Sequence, residues 1–380
     1  MRPIAPIERL ECRQIRWPMP EPLANSISVF RERATVVVSI TSGGVTGWGE
    51  CWAEPVASQT IIETKFAPVV LGADASTPKV IWDAMMNRLG RDRSGITHMA
   101  ASAIDMAVWD LSARLDGVSL ARKLGGALND RLPTYASGPF LKVKDDPYSD
   151  MIAEIESYLE RGFKSLKLRL GKTVKQDLNA VASIRKRFGE VPLMVDFNQG
   201  LSRLEARLAV KELADYGIRF VEEPLQADDI DGYRDLAQFS SIPIAGGESL
   251  AGIRRFKDFI SSGALQIVQP DVAHCGGVTE YQRIVSLGEA FGVDVIPHVW
   301  SSVIIHAASL QLASMTPARH GYDLDFPLFE IDPTPNRLLD IFGAVQPGND
   351  GSIEVPDLPG IGLALNHDIL KPFTISHVEM

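Results

Sequence analysis

Three carboxylates recur at a fixed interval, with Asp196, Glu222 and Glu248 separated by 26 residues at each step. They close the short apolar runs PLMVD, IRFVE and IPIAGGE, and a buried parallel strand has no packing use for an acid at its end. One strand–helix unit is about that long, so the three recur at one level of a β/α architecture. That level is the C-terminal mouth, where barrel enzymes keep their chemistry. Three unbalanced carboxylates ~5 Å apart repel by roughly 3 kcal/mol per pair at an effective dielectric near 20. A hard divalent cation with oxygen ligands removes that cost, and Mg2+ suits a site whose few protein ligands leave room for substrate and water. The plainer alternative, an acid capping each following helix, fits any one of them but does not account for the spacing.

The series continues. Asp271 ends LQIVQPD and His298 ends VDVIPH, 27 residues later. Neighbouring strand ends bring the carboxylate against the imidazole, which fixes its tautomer, raises its basicity and makes the pair a proton-transfer candidate. His98, His274, His306, His320, His367 and His377 lack such a partner pattern and receive no role. One strand earlier, GFKSLKLRLG (162–171) puts Lys167 and Arg169 on one face. Two cations ~6.6 Å apart repel by roughly 2.5 kcal/mol at dielectric 20, and the acidic cluster they face offsets this. Asn198, two positions past Asp196, is expected at the substrate or beside the metal. Glu223 alternates to the opposite face from Glu222 and reads as structural. Trp300 and the loop residues Arg16, Trp17 and Trp52 are candidates for shaping the pocket, although packing is the commoner role of lone loop aromatics. The CGGV turn reads equally as an anion-binding nest or as a tight entry to a helix.

The elements that must position these groups start near residue 132. PTYASG, KSLKLR, PLMVDFN, IRFVEE, IPIAGGE, LQIVQPD, VDVIPH and DFPLFEID alternate with helical patterns at 149–161, 175–188, 203–216, 229–239, 251–261, 277–290 and 301–314. Eight strands separated by helices indicate a (β/α) barrel rather than an open doubly wound sheet. No GxGxxG follows a strand and no GxxxxGK[ST] is present, so nucleotide binding has little support. Residues 1–130 read as an α+β unit: RATVVVSITS is a strand, GGVTGWGE turns on its glycines, and THMAASAIDMAVWDLSARLDG has helical period. RWPMPEPLANS and GECWAEPVASQ read as loops. The Pro/Gly-rich VPDLPGIGLALN, within a final segment 336–380, is expected to return to the N-terminal unit.

Composition sets the class. With 380 residues, 45% hydrophobic and 23% charged, the chain supports a sizeable core. A net charge of −10 without a Lys/Arg-rich run argues against nucleic acid or an anionic membrane as partner. Three scattered cysteines without CxxC, no apolar leader and no long uncharged apolar run lead us to expect a reduced, cytoplasmic protein.

Taken together, KLR at 167–169, VDFNQG at 195–200, FVEEP at 220–224, AGGES at 245–249, QPDVAHCGGVTE at 269–280 and IPHVW at 296–300 resemble the enolase superfamily, mandelate racemase subgroup. The closing segments are most similar to galactarolactone cycloisomerases and acid-sugar dehydratases. The resemblance implies a modified TIM barrel, (β/α)7β, over residues 131–335 with an α+β capping domain. It also implies one Mg2+ per subunit on Asp196, Glu222 and Glu248, a small carboxylate substrate, and a homo-oligomer, with an octamer among the family's arrangements. It places Glu330, in PLFEID, at the substrate and Lys167 at its carboxylate. Many subgroup members have Lys-x-Lys where this chain has Lys167-x-Arg169, and an arginine stays charged and accepts no proton. Proton transfer therefore falls mainly to His298 with Asp271. The expected reaction is removal of the proton α to a carboxylate followed by β-elimination from a sugar acid or its lactone. Racemisation or epimerisation with Lys167 as second base is the alternative, and a non-catalytic metal-stabilised scaffold is the third reading.

Overall fold

The computed structural model describes residues 5–52, 54–90, 93–318 and 326–380. The N-terminal unit is an antiparallel sheet of Arg9–Ala24, Val29–Ser42 and Val45–Cys51, packed on the helix Ile96–Leu115. RWPMPEPLANS, expected as a loop, lies almost wholly within the first of these strands. Its prolines coincide with a break in the ladder between Pro18 and Leu23, the kind of position where a missing N–H costs nothing. The far end of this hairpin pairs through Leu23 and Ala24 with Lys142 and Leu141, just past the first barrel strand. The turn 25–28 is thereby tied to the barrel mouth.

GGVTGWGE divides into two uses of glycine. Gly43 and Gly44 make the turn, whereas Gly47 and Gly49 lie within the strand Val45–Cys51. A Cβ on Gly49 would stand 1.9 Å from the Ala103 carbonyl oxygen of the long helix. Gly49→Ala is therefore expected to push strand and helix apart and cost about 3 kcal/mol, read as a lowered midpoint in thermal melting with the barrel's helical signal retained.

All eight expected strands are present: Arg131–Ser137, Leu166–Arg169, Leu193–Asp196, Ile218–Glu222, Ile244–Gly246, Ile267–Val268, Asp294–Val295 and Phe329–Ile331. They pair in parallel in chain order, and the eighth returns beside the first. Between seventh and eighth no ladder forms among the described residues. A side chain bridges that seam, Glu330 accepting from the Val299 N–H at 2.9 Å. Alternation along each strand sorts the residues. Leu166, Leu168, Val195 and Val221 join the core beneath the helices, while Tyr135, Met194, Phe220, Ala245, Ile296 and Leu328 fill the barrel interior. Lys167, Asp196 and Glu222 share the inward parity, so packing of their apolar neighbours aims the charges into the barrel.

The helices follow their local signals. Ser202 and Glu205 form a capping box that starts Arg203–Leu213. That helix stops at Leu213, three residues short of expectation, and a 3-10 turn Ala214–Tyr216 replaces its last turn. The C-terminal segment divides in two. Ser352–Glu354 pairs with the first barrel strand; VPDLPGIGLALN returns to the N-terminal unit, where the Ile361 N–H donates to Asp110 and Arg114 to the Leu363 carbonyl, and Thr374–Glu379 joins the N-terminal sheet, antiparallel to Arg9–Ala24. The start of DFPLFEID and His320 lie outside the described residues. Among the described residues no helix is long and apolar enough to cross a membrane.

His306 is buried on the helix Val303–Ala313, edge-on to Phe329, and its Nε2 meets no hydrogen-bond partner. Burial pushes its pKa down to about 4. The stability it contributes is thus complete above pH 6.5, where the unfolded side chain is neutral too, and is lost as pH falls toward 4. The loss approaches about 3 kcal/mol. His306→Phe should flatten the pH dependence of the urea midpoint between pH 6.5 and 4; an unchanged slope refutes the assignment.

Candidate active site

At the barrel mouth, oxygens of Asp196, Glu222 and Glu248 lie within 4.8 Å of one another. Asp196 and Glu222 are fully buried. Lys167, also fully buried, donates to both Glu222 oxygens at 2.7 and 2.8 Å and lies 2.7 Å from Glu330 and 3.7 Å from Asp196. Arg169 donates to Asp196 and, at 3.0 Å, to Ser137. Gln269 donates to Glu222 at 2.6 Å. Lys167 and Glu222 experience their contact differently. Burial opposes the Lys167 charge, but Glu222 and Glu330 outweigh it and hold the ammonium well above its ordinary range. Glu222 is pushed up to about 8, by burial and by Asp196, Glu330 and Glu248 against the pull of Lys167. The carboxylates thus exceed what the chain's own cations balance. This surplus, on an all-oxygen donor set, fits a divalent cation held by Asp196, Glu222 and Glu248.

Across the mouth, His298 Nδ1 lies 2.8 Å from Asp271 Oδ2 and its Nε2 lies 3.0 Å from Glu248 Oε2. A bridge between the Asp271 and His298 backbones extends the sheet at this level. Burial lowers the basicity of the imidazole, but Glu248, Glu330 and Asp271 outweigh it and raise its pKa to about 10. Asp271 is fixed in turn: Oδ1 accepts from the Ala273 N–H at 2.7 Å and Oδ2 from the Trp52 indole at 2.8 Å.

The cavity above these groups is lined by four aromatic side chains, Phe30, Trp52, Phe140 and Trp300, and five polar ones, Asn25, Arg169, Asn198, Glu248 and His298. Asn198 and Trp300, candidates from the sequence, are thus among its walls. Asn198 has a left-handed backbone that lets its own N–H and amide bond Asp196 at 2.7 and 3.1 Å. Lys167 and Glu330 do not reach this cavity. Glu330 is tied to Lys167 and Val299, and although burial opposes its charge, Lys167, His298 and Arg169 lower its pKa to about 2. Lys167 was legible in the sequence as inward-facing, but its pairing with Glu330 was not.

Arg16 and Trp17, also candidates from the sequence, stand elsewhere. They line a separate groove with Pro18, Arg337 and Phe373, and Arg16 pairs with Glu32 at 3.2 Å. They sit before the ladder break, whereas the residues reaching the mouth lie after it. Glu223 is buried against Gln199, as expected for a structural acid. At the CGGV turn the chain supplies its own anion: Asp105 accepts from the Thr279 N–H and Oγ at 2.8 and 2.7 Å.

The N-terminal unit supplies contacts that sequence reasoning missed. Ser26 Oγ donates to the Phe197 carbonyl at 2.5 Å, seated where a Cβ on Gly200 would stand 2.5 Å away. Buried Arg33 stacks 3.7 Å over Trp300 and pairs with Asp332 at 2.7 Å. Glu50 accepts from Ser301 at 2.7 Å and from Ser302, immediately after the His298 strand. Only the mixture of small, polar and aromatic residues in these segments signalled them.

Comparison with known proteins agrees with this geometry. Residues 150–369 match the family model described as enolase C-terminal domain-like, and residues 9–125 match that of the mandelate racemase / muconate lactonizing enzyme N-terminal domain. D-galactarolactone cycloisomerase of Agrobacterium fabrum is 33% identical, covering 93% of this chain and 94% of that protein. The crystal structure of 3,6-anhydro-D-galactonate cycloisomerase from Zobellia galactanivorans superposes with a TM-score of 0.86 at 31% identity, over 98% of this chain and 100% of that one. L-talarate dehydratase from Polaromonas sp. JS666, solved with Mg and L-glucarate, gives 0.84 at 28% identity over 99% of both. The two-part match, the capped barrel and the acidic cluster lead to one conclusion: the chain belongs to the mandelate racemase/muconate lactonizing enzyme group of the enolase superfamily.

Proposed function

We propose that the protein is a Mg2+-dependent enzyme that removes the proton α to the carboxylate of a sugar acid or its lactone and then expels the β-oxygen, as a dehydratase or a cycloisomerase. The observation that carries this is that, among the described residues lining the cavity, His298 is the one general-base candidate outside the acidic cluster. Lys167 is sealed under Glu222 and Glu330, and Arg169 retains its proton. Asp196, Glu222 and Glu248 would hold the divalent cation, which would balance their charge and supply electrostatic stabilisation for charge developing on the substrate carboxylate. Asp271 keeps Nδ1 protonated, so Nε2 takes the α proton. The C–H pair becomes the C=C of an enol as the β C–O bond breaks. His298 then returns the proton to the departing oxygen on the same face, and the enol becomes a 2-keto-3-deoxy acid. Arg169 contributes fixed positive charge beside the forming enol. Racemisation needs a second base on the opposite face, and the residue there is Arg169.

Four aromatic walls favour a substrate that is cyclic and offers an apolar ring face. The test is a panel of aldonic and aldaric acids, their lactones and anhydro-sugar acids, incubated with Mg2+ in heavy water and followed by NMR. Elimination to a ketone carrying deuterium at C3 is expected. Deuterium at the α carbon with inversion and no loss of oxygen establishes racemisation instead, and silence across the panel rejects both.

A further inference from the structure

We infer that Trp52 is a positioning residue for proton transfer: its indole N–H holds the Asp271 carboxylate that aligns His298, so the base is complete only while the N-terminal unit is docked on the barrel. The inference rests on the proposed role of His298 and Asp271.

Asp271 Oδ2 accepts two hydrogen bonds of 2.8 Å, one from His298 Nδ1 and one from Trp52 Nε1. The Trp52 contact spans 219 residues of sequence and joins the two parts of the chain. Asp271 is fully buried, so its hydrogen-bond partners come from the protein. With Ala273 N–H on Oδ1, the indole fixes the carboxylate plane, and that plane sets the direction of the imidazole. An indole is a donor only and relays no proton, so its part is to orient. Its own position is fixed from both sides. Two residues upstream, Glu50 is bound to Ser301 and Ser302, just beyond His298. The ring itself lies 6.4 Å from the imidazole of His298 and 6.1 Å from that of His274. Trp52 also lines the cavity. A wall residue that only packs against substrate changes KM, whereas one that aligns the base changes kcat, and the two roles are separable.

The experiment uses the full-length Mg2+-loaded enzyme and the acid it turns over best. Trp52→Phe keeps an aromatic wall and removes the donor. It is expected to lower kcat and the α-proton exchange rate about 10- to 100-fold with KM nearly unchanged. In a cycle with Asp271→Asn the two losses should not multiply, because each disrupts the same alignment. An unchanged kcat, a change confined to KM, or fully multiplicative losses overturns the inference. Trp52→Met serves the same purpose if the phenylalanine variant does not fold. Independently of any substrate, the 15N-indole resonance of Trp52 should be protected from exchange and move in Asp271→Ala. A resonance that neither shows protection nor moves overturns the contact itself. Failure of wild-type enzyme on every acid counts against the proposed function, whereas normal turnover in Trp52→Phe counts only against this inference.

Discussion

His298→Asn should reduce turnover by about 10³- to 10⁴-fold while leaving the fold and Mg2+ binding in place. Asparagine still offers a polar group to Asp271 but accepts no proton, and general-base catalysis by a positioned imidazole has that magnitude. Among the described residues no neighbour replaces it. Lys167 has no exposed surface and its ammonium is committed to Glu222 and Glu330. Arg169 beside Asp196 stays cationic at every working pH. The measurements are steady-state kcat and α-proton exchange in heavy water, with circular dichroism as the control for folding. Activity within tenfold of wild type would show that the proton leaves by another route, and the one-base reading would fall with it.

Lys167→Met is expected to have the largest effect on stability, and a conditional one. Removing the ammonium leaves Glu222 and Glu330 buried without their cation, and breaking a buried ion pair in this way costs about 3–5 kcal/mol. Methionine fills much of the same volume, so the loss is electrostatic rather than a cavity effect. A divalent cation on the cluster supplies positive charge from the other side. Mg2+ at 100 to 1,000 times its dissociation constant should therefore restore about 3–4 kcal/mol, and NaCl of equal ionic strength should not. Chemical denaturation with and without EDTA reads this directly. Equal stability of the variant in both conditions would mean that the cluster does not take up the ion.

Much of this protein was legible in its sequence because a β/α unit has a nearly constant length. Acids spaced at 26 residues can fall only at equivalent levels of successive strands, and period-two alternation decides which way they face. Leu166, Leu168 and Leu170 must pack under helices, so Lys167 and Arg169 must turn inward. Helix limits were read to within a few residues for the same reason: caps such as Ser202–Glu205 are local. Local signals failed where function was decided by contacts between distant segments. Prolines made a strand resemble a loop at 18–22, because a ladder break is visible only beside its partner strand. Glycine in TGWGE resembled turn chemistry, but at Gly49 the reason is the closeness of a helix more than fifty residues later.

The sequence by itself therefore determined the barrel, the level of its carboxylates, the Asp271–His298 pair and a permanent positive charge at position 169, all consequences of periodicity and residue chemistry along the strands. The tertiary structure alone decided which charges neutralise one another, with Lys167 committed to Glu222 and Glu330 and withdrawn from the cavity. It alone decided that Trp52, Asn25 and Phe30, rather than Arg16 and Trp17, reach the mouth. The physical reason is the same in each case. Pairing of buried charges and docking of one unit on another depend on distances across the fold, which no short stretch of chain encodes.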